Sequence, residues 1–538
     1  MKRYLSLAVV VALGAASAFA ADIYLQRNDF GYNSFDEDSI TSITFNSSSA
    51  AGTFGSQVVN LANGTAVTTD LSTINAVVVP QTPAELWTGK TTLTWANNAF
   101  LKIDGNEPTF ASAKAGSKYY ISYTVPDANK VTQLQLLKND GKWSNLLQCL
   151  GATSGNNFAD LDGSGTFVMN LTADDAAEIV ANGFIIKGDN LIITGVTRDL
   201  IPTFTQVYDV SLKPVVAALD SNIVNTSIYP TLAYSNGALL VNLGNDSIPV
   251  LVNAETGAPI SALTPVRSFP YFGGAVTNDD AGNVLSCNYV AGDGSNFYIY
   301  KTTHESLPAQ YLSYADALNL PLSPYLNVHG DVTKNATIIA TCDGVYSDNF
   351  MRWTVTNGVP DAGTCVSLAL PDQWLSRAGA KVVAYSQDPN DGVFVSYYQG
   401  GSYTLNDTIY YCDGTGAVAA KFAPASDGSA GNFNYTPIDA RTFGGKTYLA
   451  SFATCYFPNW GLGGTLRVFD VTDKAAITGN VDTTSALLYS VDAGVQAVDA
   501  GSGAGDVLMV PTDDGSALNI FYVDGAGLEL GCVKMELK

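Results

Sequence analysis

Histidine is almost missing from this chain of 538 residues, which holds only His304 and His329. A Ser–His or Cys–His nucleophile needs an imidazole beside it, and the sequence has no GxSxG elbow. Each histidine is therefore read as a satisfied or exposed side chain. There is no HExxH motif, and none of the seven cysteines is spaced CxxC, so no zinc site is expected. Basic residues are scarce as well: 26 Lys and Arg face 49 Asp and Glu, for a net charge of −23. A chain so acidic repels phosphate backbones, which makes nucleic acid a poor partner. An acidic surface also serves solubility alone. Beyond the first twenty residues, no apolar run approaches the roughly 18 residues of a membrane span.

What is present begins with a secretory signal over residues 1–20. Lys2 and Arg3 give the positive start, residues 5–15 the short apolar stretch, and Ala18-Phe19-Ala20 the small-x-small cleavage site. Position 21 is Ala rather than Cys, so no lipid attachment is expected there. The expected destination is the periplasm, the cell surface or the medium, and the style of the signal is bacterial. Hydrophobic residues at 46%, with 50 glycines and 28 tyrosines, suit a chain of many short strands and tight turns.

A repeat organises the C-terminal part. Residues 282–302, GNVLSCNYVAGDGSNFYIYKT, read as strand, Gly/Asp/Ser turn and strand. The second strand recurs as IPVL, FYIY, FMRW, TIYY, LRVF and LNIF, each ending in a large apolar residue: Leu251, Tyr300, Trp353, Tyr411, Phe469 and Phe521. A period of roughly 50 residues built from short strands predicts propeller blades, whose small sheets cover one another's apolar faces. Six blades are expected, with seven as the alternative. The strand-like run FTQVYDVSL at 204–212 either closes the ring or belongs to a seventh blade. Several cysteines (Cys287, Cys342, Cys455) fall in corresponding strands and read as small buried hydrophobes. Bridges between blades are the alternative.

Before the repeat, residues 86–200 read as a β-sandwich. VTQLQLLKNDGKWSNLLQ sets Leu134 and Leu136 against Gln133 and Gln135, then turns at Asn139-Asp140-Gly141, the pattern of a half-buried hairpin. TADDAAEIVAN is a short helix with Thr172 as its N-cap. The succession LWTGKTTLTW, AGSKYYISYTV, TQLQLLKNDGKWSNL, NGFIIKGDNLIITGV resembles galactose-binding-like or carbohydrate-binding jelly-roll modules of secreted Bacteroidetes proteins. The later part resembles uncharacterised six- to seven-bladed β-propellers attached to such modules. The resemblance implies a secreted protein of unknown function and maps no binding residue. The expected order is therefore a signal peptide (1–20), a leader or small β-subdomain (21–85), a galactose-binding-like sandwich (86–200), a junction or ring-closing strand (201–221) and a β-propeller (222–538), all-β throughout.

Candidate chemistry is sparse. A pyranose packs its C–H face on an aromatic ring while its hydroxyls bond to amides and carboxylates. Trp460 and Asn459, in the Gly/Pro-rich loop CYFPNWGLGG, and Trp374, in LPDQWLSRAG, are the candidate ligand contacts. Trp87 and Trp95, eight apart, are expected to point the same way. Trp143 is expected in the core. Asp331, Asp439 and Asp499 lie in or beside inner-strand candidates and are the candidate acids at the channel mouth, where a glycosidase would need a pair. Asp160 and Asp162, in DLDGSG, are the candidate calcium ligands, although the downstream Glu of the full loop is missing. No other cofactor is expected. The leading expectation is a secreted or cell-surface binding or adhesion protein for a glycan or a surface protein. The alternatives are a polysaccharide-acting enzyme and a structural envelope component.

Overall fold

The computed structural model describes six strands between residues 22 and 78. Over 84–537 it describes all residues except 105–112, 114–116, 147–156, 162, 220–229, 244–249, 263–273, 304–305, 316–317, 343–347, 371–380, 397–406, 425–436, 455–463, 494–504, 513–514 and 526–527. The described chain is almost entirely β, and it divides into two units, 1–201 and 202–537.

In the first unit, the strands between 22 and 78 form two antiparallel three-stranded sheets. The sandwich follows, as two four-stranded antiparallel sheets. One runs Ala159–Leu161, Thr132–Lys138, Gly183–Asp189, Leu101–Asp104. The other runs Gly165–Asn170, Lys118–Thr124, Leu191–Arg198, Ala84–Leu93. The period of two decides which side chains are buried. Leu134, Leu136, Phe184 and Ile186 of the first sheet meet Tyr119, Ile121, Phe167 and Ile193 of the second, all at most 2% exposed. Between the sheets' strands lies the helix Ala173–Asn182. Thr172 caps it by accepting from the Asp175 N–H, and it stops at Gly183, whose φ is 76°. The strands around Asn190 do not form a hairpin, because Gly183–Asp189 and Leu191–Arg198 lie in opposite sheets. Asn190 makes the corner. It adopts a left-handed φ of 54° and donates to the Asp127 and Lys130 carbonyls and to Thr132.

The second unit is a six-bladed propeller. The blades span residues 231–262, 276–314, 321–367, 381–422, 438–493 and 505–537. Inner strands of neighbouring blades touch in sequence, and the sixth touches the first, so the ring is closed. Six separate apolar clusters lie between consecutive blades. Phe297 stacks on Trp353 between blades 2 and 3, and Phe422 on Phe469 between blades 4 and 5. This is the mutual covering that the repeat predicts.

The sixth blade differs from the rest. Its outermost strand is Pro202–Ser211, paired antiparallel with Glu529–Leu537. The aromatic anchors through Phe469 occupy the third strands of their blades, whereas Phe521 occupies the second strand of blade 6. The repeat read from sequence therefore slips by one strand at its end, because the last blade borrows a strand from before the first.

Candidate functional site

The first sandwich sheet turns one face away from the core. Gln133, Gln135, Lys187 and Asp189 alternate with buried Leu and Ile there, and Gln133 faces both Asp160 and Asp189 across the strands while Gln135 faces Lys187. Three aromatic side chains frame this face: Trp95, Phe100 and Trp143, exposed to 38%, 42% and 36%. Among the described residues they are the only exposed aromatics.

Each ring is fixed in place. The Trp95 indole N–H donates to Gln133 Oε1 at 3.1 Å, and its backbone N–H donates to Asp189 Oδ1 at 2.9 Å. Gln133 in turn donates to Asp160 Oδ1 at 2.9 Å. The Phe158 ring lies 6.4 Å from that of Trp95. At the other end, Phe100 meets Trp143 edge-on at 5.0 Å. The Lys187 ammonium lies 4.9 Å over the Trp143 ring and donates to Asn98 Oδ1. Trp143 holds a left-handed backbone with φ 57°. A bulky L-residue adopts that conformation only at a cost of about 1–3 kcal/mol, and such strain collects at functional sites.

Two expectations are corrected here. Trp143 is at the surface rather than in the core, because it sits just past the turn at Gly141 and the left-handed backbone swings its ring toward Phe100. Trp87 and Trp95 do not share a face: Trp87 packs against the core, while Trp95 lies beyond the strand that ends at Leu93. Bulges in the pairing of Ala84–Leu93 with Leu191–Arg198 break the simple count.

The propeller axis carries a second polar cluster, buried and closely bonded. Arg441 is its centre, at 1% exposure. It donates from Nη1 to Asp280 Oδ1 and to the Val328 carbonyl, both at 2.6 Å, from Nη2 to the Asn278 carbonyl at 2.9 Å, and from Nε to the Met509 carbonyl at 3.1 Å. One side chain of blade 5 thus holds blades 2, 3 and 6. Burial works against its charge, but Asp439 and then Asp280 outweigh it and raise the guanidinium pKa. Burial likewise opposes ionisation of Asp280, yet His329 and then Arg441 hold its carboxyl far below the ordinary range. His329 Nδ1 lies 2.7 Å from Asp280 Oδ2, outside hydrogen-bond alignment. Nearer the start of the inner strands, the Lys381 ammonium pairs with Asp506 and lies over the Tyr325 ring. Burial raises the Asp506 pKa, and Lys381 only partly offsets this.

Side chains also stitch neighbouring inner strands together. Asp506 accepts from the Leu232 N–H, Asn327 from the Ala384 N–H, and Asp439 from the Met509 N–H. Asp439, a candidate channel acid, is 2% exposed and also accepts from Asn327, so it serves as a strut. Asp331 sits in a turn, where it accepts from the Thr333 N–H and hydroxyl and pairs with Lys334. Asp160 is on the outward sandwich sheet. Asp162, Asp499, Trp374, Asn459 and Trp460 lie outside the described residues, as do His304, Cys149, Cys455 and residues 1–20. Among the described residues no three His, Cys, Asp or Glu side chains converge to hold a metal ion, and no helix is long and apolar enough to cross a membrane. Cys412 and Cys532 are buried free thiols, and Cys287 and Cys342 are buried in the second strands of their blades.

Fold and site together define a two-unit all-β protein, a sandwich with an aromatic outer face and a six-bladed propeller with a bonded axis. Residues 218–536 match the family described as Domain of unknown function (DUF8500), and the chain belongs to that family. No curated protein matches it by sequence. Among solved structures it is similar to the Bacteroides ovatus mixed-linkage glucan utilization locus SGBP-B in complex with a mixed-linkage heptasaccharide. That likeness has 20% identity and a TM-score of 0.19, and covers 31% of this chain and 48%, about half, of the other. It is also similar to a gluconolactonase from Xanthomonas campestris (11% identity, 63% and 97% covered, TM-score 0.33). A third is the PQQ-bound aldose sugar dehydrogenase from Streptomyces coelicolor (13%, 63% and 98%, 0.32). At these identities and TM-scores the likenesses carry no argument about activity.

Proposed function

We propose that this is an exported glycan-binding protein, and that the outward face of the first sandwich sheet makes the contact. The observation that carries this reading is the set of three exposed rings, Trp95, Phe100 and Trp143, around a bed of amide, carboxylate and ammonium groups. Exposed rings supply flat apolar area at low entropic cost, and polar groups beside them fix orientation. Those groups are held in advance by bonds to one another, which lowers the ordering cost of binding. Asp160 Oδ2, Asp189 Oδ2 and the remaining Lys187 protons take no further hydrogen bond among the described residues and are open to sugar hydroxyls.

Binding without turnover is favoured over hydrolysis by the state of the axial acids. Asp439 and Asp280 are committed to Arg441 and to backbone N–H groups, whereas a glycosidase pair must face a cleft. The signal-like residues 1–20 support export, with the periplasm, cell surface or medium as destination. Electrophoresis of the mature chain through gels containing soluble polysaccharides tests the proposal, with product analysis of any polysaccharide that retards it. Retardation without new reducing ends is expected. Release of oligosaccharides would overturn the non-catalytic reading, and migration unchanged in every gel would overturn the glycan reading.

A further inference from the structure

We infer that the aromatic face is built as two subsites and takes an internal run of at least two neutral pyranose units rather than a terminal sugar. This rests on the glycan reading above and adds the length and charge of the ligand. The rings form two pairs, Trp95 with Phe158 and Phe100 with Trp143. The first pair is tied to the Gln133–Asp189 rung through both Trp95 bonds. The second is tied through Lys187 to the next same-face rung, Gln135–Lys187. Successive rungs on one face are about 7 Å apart along the strands, longer than a single pyranose ring. One sugar on Trp95 therefore leaves Trp143 uncovered, and a chain lying along the strands covers both.

Charge sets the second property. Asp160 and Asp189 flank Trp95, each with an oxygen that takes no other bond among the described residues. The cations on this face of the sheet lie on rungs beyond the one that carries Asp189: Lys187 is engaged with Trp143 and Asn98, and Lys102, on the edge strand, pairs with Asp104. A uronic or sulfated sugar at the Trp95 subsite would meet two carboxylates, with both cations of the face already engaged by other groups. Neutral hydroxyls meet acceptors.

Trp143 gives a readout that a purely structural role would not. Its left-handed backbone is the conformation glycine adopts without strain. Trp143→Gly should therefore keep the wild-type melting temperature or exceed it while weakening binding at least tenfold. The experiment uses the full mature chain against xylan, hydroxyethylcellulose, galactomannan, soluble starch and, as the acidic arm, polygalacturonate. The oligosaccharide ladder of the retained neutral polymer is then titrated by calorimetry. The expected result is retention by a neutral polymer, affinity rising at least tenfold from monosaccharide to tetrasaccharide, and at least tenfold loss in both Trp95→Ala and Trp143→Gly. A monosaccharide binding as well as the tetrasaccharide, equal retention by polygalacturonate, or Trp143→Gly binding normally would each overturn the two-subsite inference while the glycan reading stands. Retention by no polymer would overturn both.

Discussion

Replacing Arg441 with Met should loosen the propeller more than any single surface change. The guanidinium is buried and donates to Asp280 and to the carbonyls of Val328, Asn278 and Met509, with Asp439 Oδ2 at 3.3 Å. A methionine of similar length fills much of the volume, so the loss is electrostatic and directional rather than a cavity. Breaking a buried ion pair by removing one partner costs roughly 3–5 kcal/mol, because the other charge is left behind. Asp280 keeps 29% side-chain exposure and regains some water, while Asp439, at 3% side-chain exposure, does not. Asp439 retains the Met509 and Ala440 N–H groups, which places the expected loss toward the lower end of that range. For a unit of this size, that is a fall in Tm of about 4–6 °C. Calorimetry or a urea titration followed by circular dichroism reads it, with Arg441→Lys alongside. Lysine keeps the charge but presents a point donor that cannot span four acceptors on three blades, so it should recover only part of the loss. A loss below about 1 kcal/mol for Arg441→Met, or full recovery by Arg441→Lys, would refute the claim that this side chain ties the blades together.

Three further predictions follow from the same packing. The Asp280 carboxyl is held below its unfolded value of about 3.9, so its stabilisation is present above that pH and is lost as pH falls through the folded value; Asp280→Asn should therefore lose less stability than wild type between pH 5 and pH 2 in acid-unfolding curves. Burial, with Asp413 adding for the first, pushes the Cys412 and Cys532 thiols up to about 12. Iodoacetamide at pH 8 should leave both unmodified in the native chain and label both in urea, read by peptide mass spectrometry; native labelling of either would show the blade opening. At Gly531 a Cβ would fall 2.0 Å from Tyr522 Cζ, so Gly531→Ala should cost about 1–3 kcal/mol by overpacking, and an unchanged urea midpoint would count against the packing of blade 6.

The blades were legible because a propeller writes its architecture locally. The third strands of blades 1 to 5 each carry a large apolar residue, several of which pack on a neighbouring blade, as Trp353 does on Phe297, and the spacing of those residues is the blade length. The axial tie was less visible. Its trace is an arginine inside the strand-like run IDARTF, in a chain with few basic residues, but the partners Asp280, Val328 and Met509 come from other blades, far away in sequence. The aromatic face was half legible. Alternation places Gln133 and Gln135 on an outer surface, whereas the exposure of Trp143 depends on a left-handed φ that the sequence does not announce. Tryptophans within a few residues of a strand end or hairpin turn, beside alternating amides, are the signal that would have pointed to it.

The strand Pro202–Ser211 is made before any blade, and its partner Glu529–Leu537 is made after five of them. Synthesis therefore delivers an edge that stays bare until Glu529–Leu537 arrives. Contacts so distant in sequence slow folding and prolong exposure of sticky edges. Removing Glu529–Leu537 alone would unpair Pro202–Ser211 and cut the sixth sheet back to the hairpin of Gly505–Pro511 and Ala517–Asp524.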